Sequence, residues 1–157
     1  MLAHIVPAMS KLAGTSTAEI NAPLDEVWAL VEDVAQAPDW QGGMKGMDVL
    51  ERDDEGRAQL CEAESDAKVR TIKSIVRFEY EPPTALRWTQ IKGDLKSVDG
   101  RWDLEELDDG RTRATYWIEA DLGRVLGMVI RGPLVDLLRD MLAGARAGEL
   151  KRAIEGS

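Results

Sequence analysis

The spacing of apolar residues changes several times along the chain, and each change marks an element. Residues 14–20 carry Thr15, Ser16 and Thr17 ahead of Ile20, a β-favouring run that predicts a strand. In Asn21-Ala22-Pro23 the proline suits the first position of a helix, where its missing N–H costs nothing. Asp25 and Glu26 lie near the positive end of that helix dipole. Leu24, Val27, Trp28, Val31 and Val34 then recur at helical spacing and define one apolar face. Pro38-Asp39-Trp40 begins a second, shorter helical turn, which Gly42-Gly43 stops.

Beyond Met44 the period falls to two. Segments 47–52, 57–65, 69–80, 86–91, 95–107 and 111–122 read as strands. In 69–80, Ile72, Ser74, Val76, Phe78 and Tyr80 alternate with Thr71, Lys73, Ile75, Arg77 and Glu79, the pattern of a half-buried antiparallel strand. Turns stand at Asp53-Asp54-Glu55-Gly56, Lys92-Gly93-Asp94 and Asp108-Asp109-Gly110, and Pro82-Pro83 ends a strand. Such short turns imply neighbouring strands, hence a meander. Over 133–154, Leu134, Leu137, Leu138, Met141, Leu142 and Ala145 return to helical spacing, with Arg139, Asp140 and Arg146 off the apolar stripe. The predicted fold is α+β: a seven-stranded curved antiparallel sheet wrapped around one long C-terminal helix, with two short helices after the first strand. A strongly twisted seven-stranded sheet curls and leaves a concave apolar space beneath the helix.

This layout resembles the START-like (SRPBCC) superfamily, the birch-pollen-allergen-like helix-grip fold. It is most similar to the bacterial polyketide cyclase/dehydrase branch. The resemblance is carried by Thr17 through Trp28, by Val34 through Trp40, by Glu81-Pro82-Pro83, by Gly100-Arg101-Trp102-Asp103-Leu104 and by Asp109-Gly110-Arg111-Thr112. It runs from Gly14 to Ile154 and implies a helix-grip domain over 14–157 behind an N-terminal tail, 1–13. It implies a cavity for lipids, polyketides or other apolar molecules. It brings no catalytic motif, since the superfamily spans cyclases, lipid carriers and co-chaperones.

Length and composition fit one such domain. A chain of 157 residues buries roughly 70% of its unfolded surface and needs no staple. The net charge of -9 opposes generic binding to phosphate backbones and anionic lipids, so no nucleic-acid partner is expected. A single cysteine, Cys61, rules out an internal disulfide and permits a reducing cytoplasm, the expected location. No apolar run reaches the length of a spanning helix, so no integral membrane association is expected. The first residues read poorly as a signal peptide, and Met9 is a second candidate start. The sole histidine, His4, lies in the tail, which disfavours a Ser-His-Asp or Cys-His centre. No residues have the spacing of a metal site or a phosphate loop, so neither metal nor cofactor is expected.

The candidate chemistry is therefore the concave face of the sheet. Alternation points Ser74, Val76 and Phe78 inward, with Leu86, Trp88 and Gln90, then Val98, Gly100, Trp102 and Leu104, then Thr112, Ala114, Tyr116 and Ile118. Polar atoms on Trp88, Gln90, Trp102 and Tyr116 either bond one another or orient a ligand. Strand 57–65 has two registers. Cys61, Ala63 and Ser65 inward is favoured, because the other buries Glu62 or Glu64, which would then be a desolvated general base. Trp40, Met44 and Met47 form either an apolar lip at the mouth or ordinary packing. Residues 122–130, with Met128, form a gate or a plain connection, and Leu138 comes from the long helix.

The expected ligand set is Trp40, Met44, Met47, Cys61, Ser74, Val76, Phe78, Trp88, Gln90, Trp102, Tyr116, Met128 and Leu138, on a monomer or homodimer. Binding of a small apolar ligand is the favoured function. The alternative is a cofactor-free cyclase, aromatase or dehydratase with Tyr116 as the candidate catalytic residue. A protein-interaction role would need an apolar surface patch, for which the outward Trp117 is the candidate.

Overall fold

The computed structural model describes residues 11–156. His4 and Met9 lie outside them. Strands β1 (Lys11–Ile20), β2 (Met44–Arg52), β3 (Ala58–Asp66), β4 (Thr71–Glu81), β5 (Ala85–Gly93), β6 (Ser97–Glu106) and β7 (Thr112–Asp121) form one antiparallel sheet. Its order is β1-β7-β6-β5-β4-β3-β2, so every consecutive pair from β2 to β7 is a hairpin and β1 closes against the last strand. Helix α1 (Leu24–Glu32) and a 3-10 turn (Val34–Asp39) follow β1. The α+β helix-grip architecture is that expected from the pattern.

Two boundaries differ from expectation. β1 begins at Lys11, so residues 11–13, expected in the tail, are strand; Leu12 is buried there and aligns opposite Ala120. A short helix, α2 (Gly123–Val129), occupies the stretch expected to be a gate or connection. The unpatterned glycines at 123 and 127 hid it from a propensity argument.

The C-terminal helix is not continuous. It consists of α3 (Pro133–Arg139), a π-turn (Asp140–Gly144) and α4 (Arg146–Glu155). The π-turn is closed by the Ala145 N–H donating to the Asp140 carbonyl at 2.8 Å, a bond spanning five residues instead of four. Its effect is on phase. Leu138 and Leu150 are both fully buried. Twelve residues of unbroken α-helix would turn them about 120° apart, and the extra residue absorbed in the π-turn cuts this to about 20°. The rod thus keeps one face on the sheet over its whole length. β1 lies close beneath the π-turn: a Cβ built on Gly14 would stand 2.7 Å from the Ala143 Cβ, so this crossing requires glycine.

The core has two parts. The larger joins α1, the inward faces of β3 to β7 and α4 around Trp102, Tyr116, Phe78 and Leu150. The smaller gathers Leu12, Ile72, Leu122, Leu126, Ile130 and Leu138 at the other end of the helical rod. No helix among the described residues is long and apolar enough to cross a membrane.

Candidate functional site

Between the sheet and the helical rod lies a cavity of about 150 Å³ with predominantly apolar walls. The sheet supplies its floor by alternation. Ser74, Val76 and Phe78 come from β4, Trp88 from β5, Trp102 from β6 and Tyr116 from β7. Leu138 and Leu142 form the roof, and Trp40, Met44 and Met47 close one side. The chain has eight aromatic side chains, and five of them (Trp40, Phe78, Trp88, Trp102 and Tyr116) line this space. They form a continuous band of ring contacts. Centroids are 6.0 Å apart for Phe78–Trp88, 5.6 Å for Trp88–Tyr116, 4.8 Å for Trp102–Tyr116 and 6.2 Å for Trp40–Trp102. These are tilted and edge-on geometries, in which positive ring edges meet negative faces.

Gly100 makes room for this band. It pairs with Trp88 across β5 and β6, and the Trp88 indole covers its backbone. A Cβ at position 100 would stand 2.2 Å from that ring. The indole therefore rests on the strand and leaves the space above it open.

Three of the expected ligand residues do not reach the cavity. Cys61 points inward, in the register that keeps Glu62 and Glu64 outside, but it is buried in solid packing away from the cavity lining. Burial raises its thiol pKa to about 11. Gln90 spends its amide on structure: its Oε1 accepts from Ser74 Oγ at 2.8 Å and its Nε2 donates to the Leu95 carbonyl at 2.9 Å. Met128 is 64% exposed on the outer side of α2, so it lines nothing. Neither Glu62 nor Glu64 lines the cavity, and Glu64 pairs with Lys73 at 3.7 Å on the outer face. Trp117 lies half-buried on the outer face, opposite Thr15 and Arg101.

The cation of the lining escaped the sequence pattern. Arg146, expected off the apolar stripe, has a side chain only 3% exposed and lines the cavity. The π-turn rotates it inward. Its Nη1 donates to Glu149 Oε1 at 2.7 Å and to the Gly42 carbonyl at 2.9 Å. Glu149 Oε2 accepts the Gly42 N–H at 2.9 Å, so the pair clamps the loop after the 3-10 turn onto α4. The Arg146 guanidinium lies 5.6 Å from the Tyr116 ring centroid. Burial pushes the Tyr116 phenol up, while the charge and hydrogen bond of Arg146 pull the other way. The phenol therefore stays protonated near neutral pH. The Nε of Arg146 and the Nε1 of Trp40 are buried with no acceptor among the described residues.

Residues 20–145 match the family model described as polyketide cyclase / dehydrase and lipid transport. The chain belongs to this family. Among solved structures it is similar to a START superfamily protein from Mycobacterium smegmatis, at 18% identity and a TM-score of 0.77, covering 92% of this chain and 98% of that one. A protein from Thermus thermophilus gives 15% identity and a TM-score of 0.76 over 92% and 97%. The Zhui aromatase/cyclase from a Streptomyces species gives 17% and 0.69 over 93% and 92%. At these identities the likeness to the solved structures establishes the fold alone. No curated protein matches the chain.

Proposed function

We propose that this polyketide cyclase/dehydrase family member binds a small, mostly apolar, lipid- or polyketide-like molecule in its internal cavity. The carrying observation is the apolar space between sheet and rod, walled by five of the eight aromatic rings. An empty space of about 150 Å³ is of the size that admits a single benzene-like ring. Aromatic walls suit ring contacts with a ligand, and a larger ligand gains room as the flexible Met44 and Met47 repack. The proposed setting is the bacterial cytoplasm, on a monomer or homodimer without nucleic acid. The buried, inert Cys61 is compatible with a reducing compartment.

The test is titration of delipidated protein with apolar fluorophores while the quenching of Trp40, Trp88 and Trp102 is followed. Saturable one-to-one uptake is expected. A protein that takes up none of them is not a binding module.

One observation favours a second reading. A protonated Tyr116 and a buried Arg146 share a wall of the cavity, an arrangement that could orient and polarise a carbonyl. The Zhui aromatase/cyclase shares the fold. Turnover of a poly-β-keto substrate that Tyr116→Phe lowers by tenfold or more would move the protein into the enzyme class. Equal turnover in Tyr116→Phe and wild type would remove that reading.

A further inference from the structure

The two ends of the sheet carry opposite charge. Because all neighbours are antiparallel, one end gathers the β3–β4 turn, the β5–β6 turn and the exit of β7 into α2. The register shows this, with Asp66 aligned to Thr71, Ser74 to Gly93, and Asp121 to both Ser97 and Lys11. Residues 66–70, 92–96 and 121–131 at this end hold six Lys or Arg against three Asp. Backbone N–H groups engage all three carboxylates, and Asp94 also pairs with Arg70 at 3.5 Å. Asp66 accepts from Lys68 at 2.8 Å, Asp94 from Lys73 at 2.8 Å and Asp121 from Gly123 at 3.0 Å. Residues 52–57, 79–84 and 105–111 at the opposite end hold nine Asp or Glu against three Arg. The net charge of -9 thus hides a basic pole.

That pole also carries the main exposed apolar group. α2 turns Leu126 into the core, followed by Ile130 just past its end, and presents Val125, Met128 and Val129 outward, exposed by 74%, 64% and 52%. Val69 stands exposed in the β3–β4 turn, whose Ala67 packs in the same cluster as α2. Leu95, Leu122 and Ile130, from the same end, also line the cavity.

We propose that this end docks peripherally on a bilayer surface containing anionic lipid. Val125, Met128 and Val129 enter the boundary between headgroups and acyl chains, and Lys68, Lys96, Arg124 and Arg131 meet the lipid phosphates. Aliphatic side chains ringed by cations match an interface that is apolar below and anionic above. A polyanion such as nucleic acid rewards the cations and gives the aliphatic residues nothing. The docked end is one wall of the cavity, so an apolar cargo passes between lipid and protein without crossing water. Each cation at such a surface is worth about fivefold in partitioning, which is how a basic pole prevails over a repulsive whole.

The experiment is sedimentation of the full chain with phosphatidylcholine vesicles, with and without phosphatidylglycerol, at low and high salt. Binding is expected to phosphatidylglycerol vesicles only and to weaken with salt. Arg124→Glu/Arg131→Glu should lose tenfold or more, and Val125→Ser/Met128→Ser/Val129→Ser should lose as much at unchanged net charge. These side chains are exposed, so fluorophore uptake by the cavity should stay as in wild type, which separates a failure of docking from a failure of ligand binding. Wild type that ignores both vesicle types overturns the proposal. So does binding to heparin as tight as to vesicles and indifferent to the serine substitutions, which marks a polyanion site. Slow hydroxyl-radical oxidation of Met128 in vesicle-free protein overturns it too, since the patch is then already covered by a second copy or by the chain's own first ten residues.

Discussion

Gly100→Ala is a small change aimed at a place where backbone and cavity wall touch. The added Cβ would stand 2.2 to 2.4 Å from three atoms of the Trp88 indole. Comfortable carbon contacts lie at about 3.6 Å, so the ring must withdraw by about 1.3 Å. Strand β6 is held on both sides by β5 and β7, so the backbone has little freedom to yield. The indole must instead rise into a space of only about 150 Å³. Overpacking of this kind costs about 1–3 kcal/mol. Urea unfolding should show that loss, and titration with an apolar fluorophore should show binding weakened tenfold or more. Gly100→Ala/Trp88→Phe removes most of the overlap, so it should recover stability beyond the sum of the single changes, a coupling of about 1 kcal/mol or more. Unaltered affinity and stability in Gly100→Ala would refute the contact on which the open cavity depends.

Two further outcomes follow from the buried ionisable groups. Arg146→Met leaves the half-buried Glu149 without its cation and frees the Gly42 loop, so urea unfolding should show a loss of about 3–5 kcal/mol. Arg146→Met/Glu149→Gln should restore part of it. Cys61 has a native pKa raised from 9.0 to about 11, so the folded state holds this proton more tightly than the unfolded chain. Its contribution is intact below pH 9 and is lost as pH climbs through 11, about 2–3 kcal/mol in all. Cys61→Ala gives up packing at every pH but should lose less additional stability than wild type between pH 8 and 11, as read by denaturation at each pH. A parallel alkaline decline in both proteins would contradict a thiol buried in its neutral form.

Much of the sheet is legible in the sequence because period-two alternation is a local property. Ser74, Val76 and Phe78 follow one another on one face, and the favoured register of β3 rests only on the cost of burying Glu62 or Glu64. The helical rod is less legible. A stripe continued from Leu134 to Ala145 at 3.6 residues per turn leaves Arg146 outside, and nothing in Asp140-Met141-Leu142-Ala143-Gly144 announces a π-turn by composition. The absorbed residue shifts phase for everything after it, so one local irregularity hides the cavity's only cation among the described residues. Gln90 and Cys61 lie on the face that alternation gives them but not at the depth of the cavity, since alternation gives direction and not distance from the void. The net charge of -9 conceals the basic pole for a related reason: a sum over the chain discards the strand ends at which the charges sit.

The pairing of β1 with β7 has a consequence for how the chain is made. Ile20 aligns with Thr112 and Lys11 with Asp121, so the first strand finds its neighbour only after some hundred further residues have been added. At ribosomal speeds of about 5–20 residues per second, that is a wait of roughly 5–20 s. During it β1 carries an unsatisfied edge, and the hairpins from β2 onward assemble ahead of it. A nascent chain stalled before Thr112 would be a target for chaperones, whereas one released past Glu155 holds every segment needed to close.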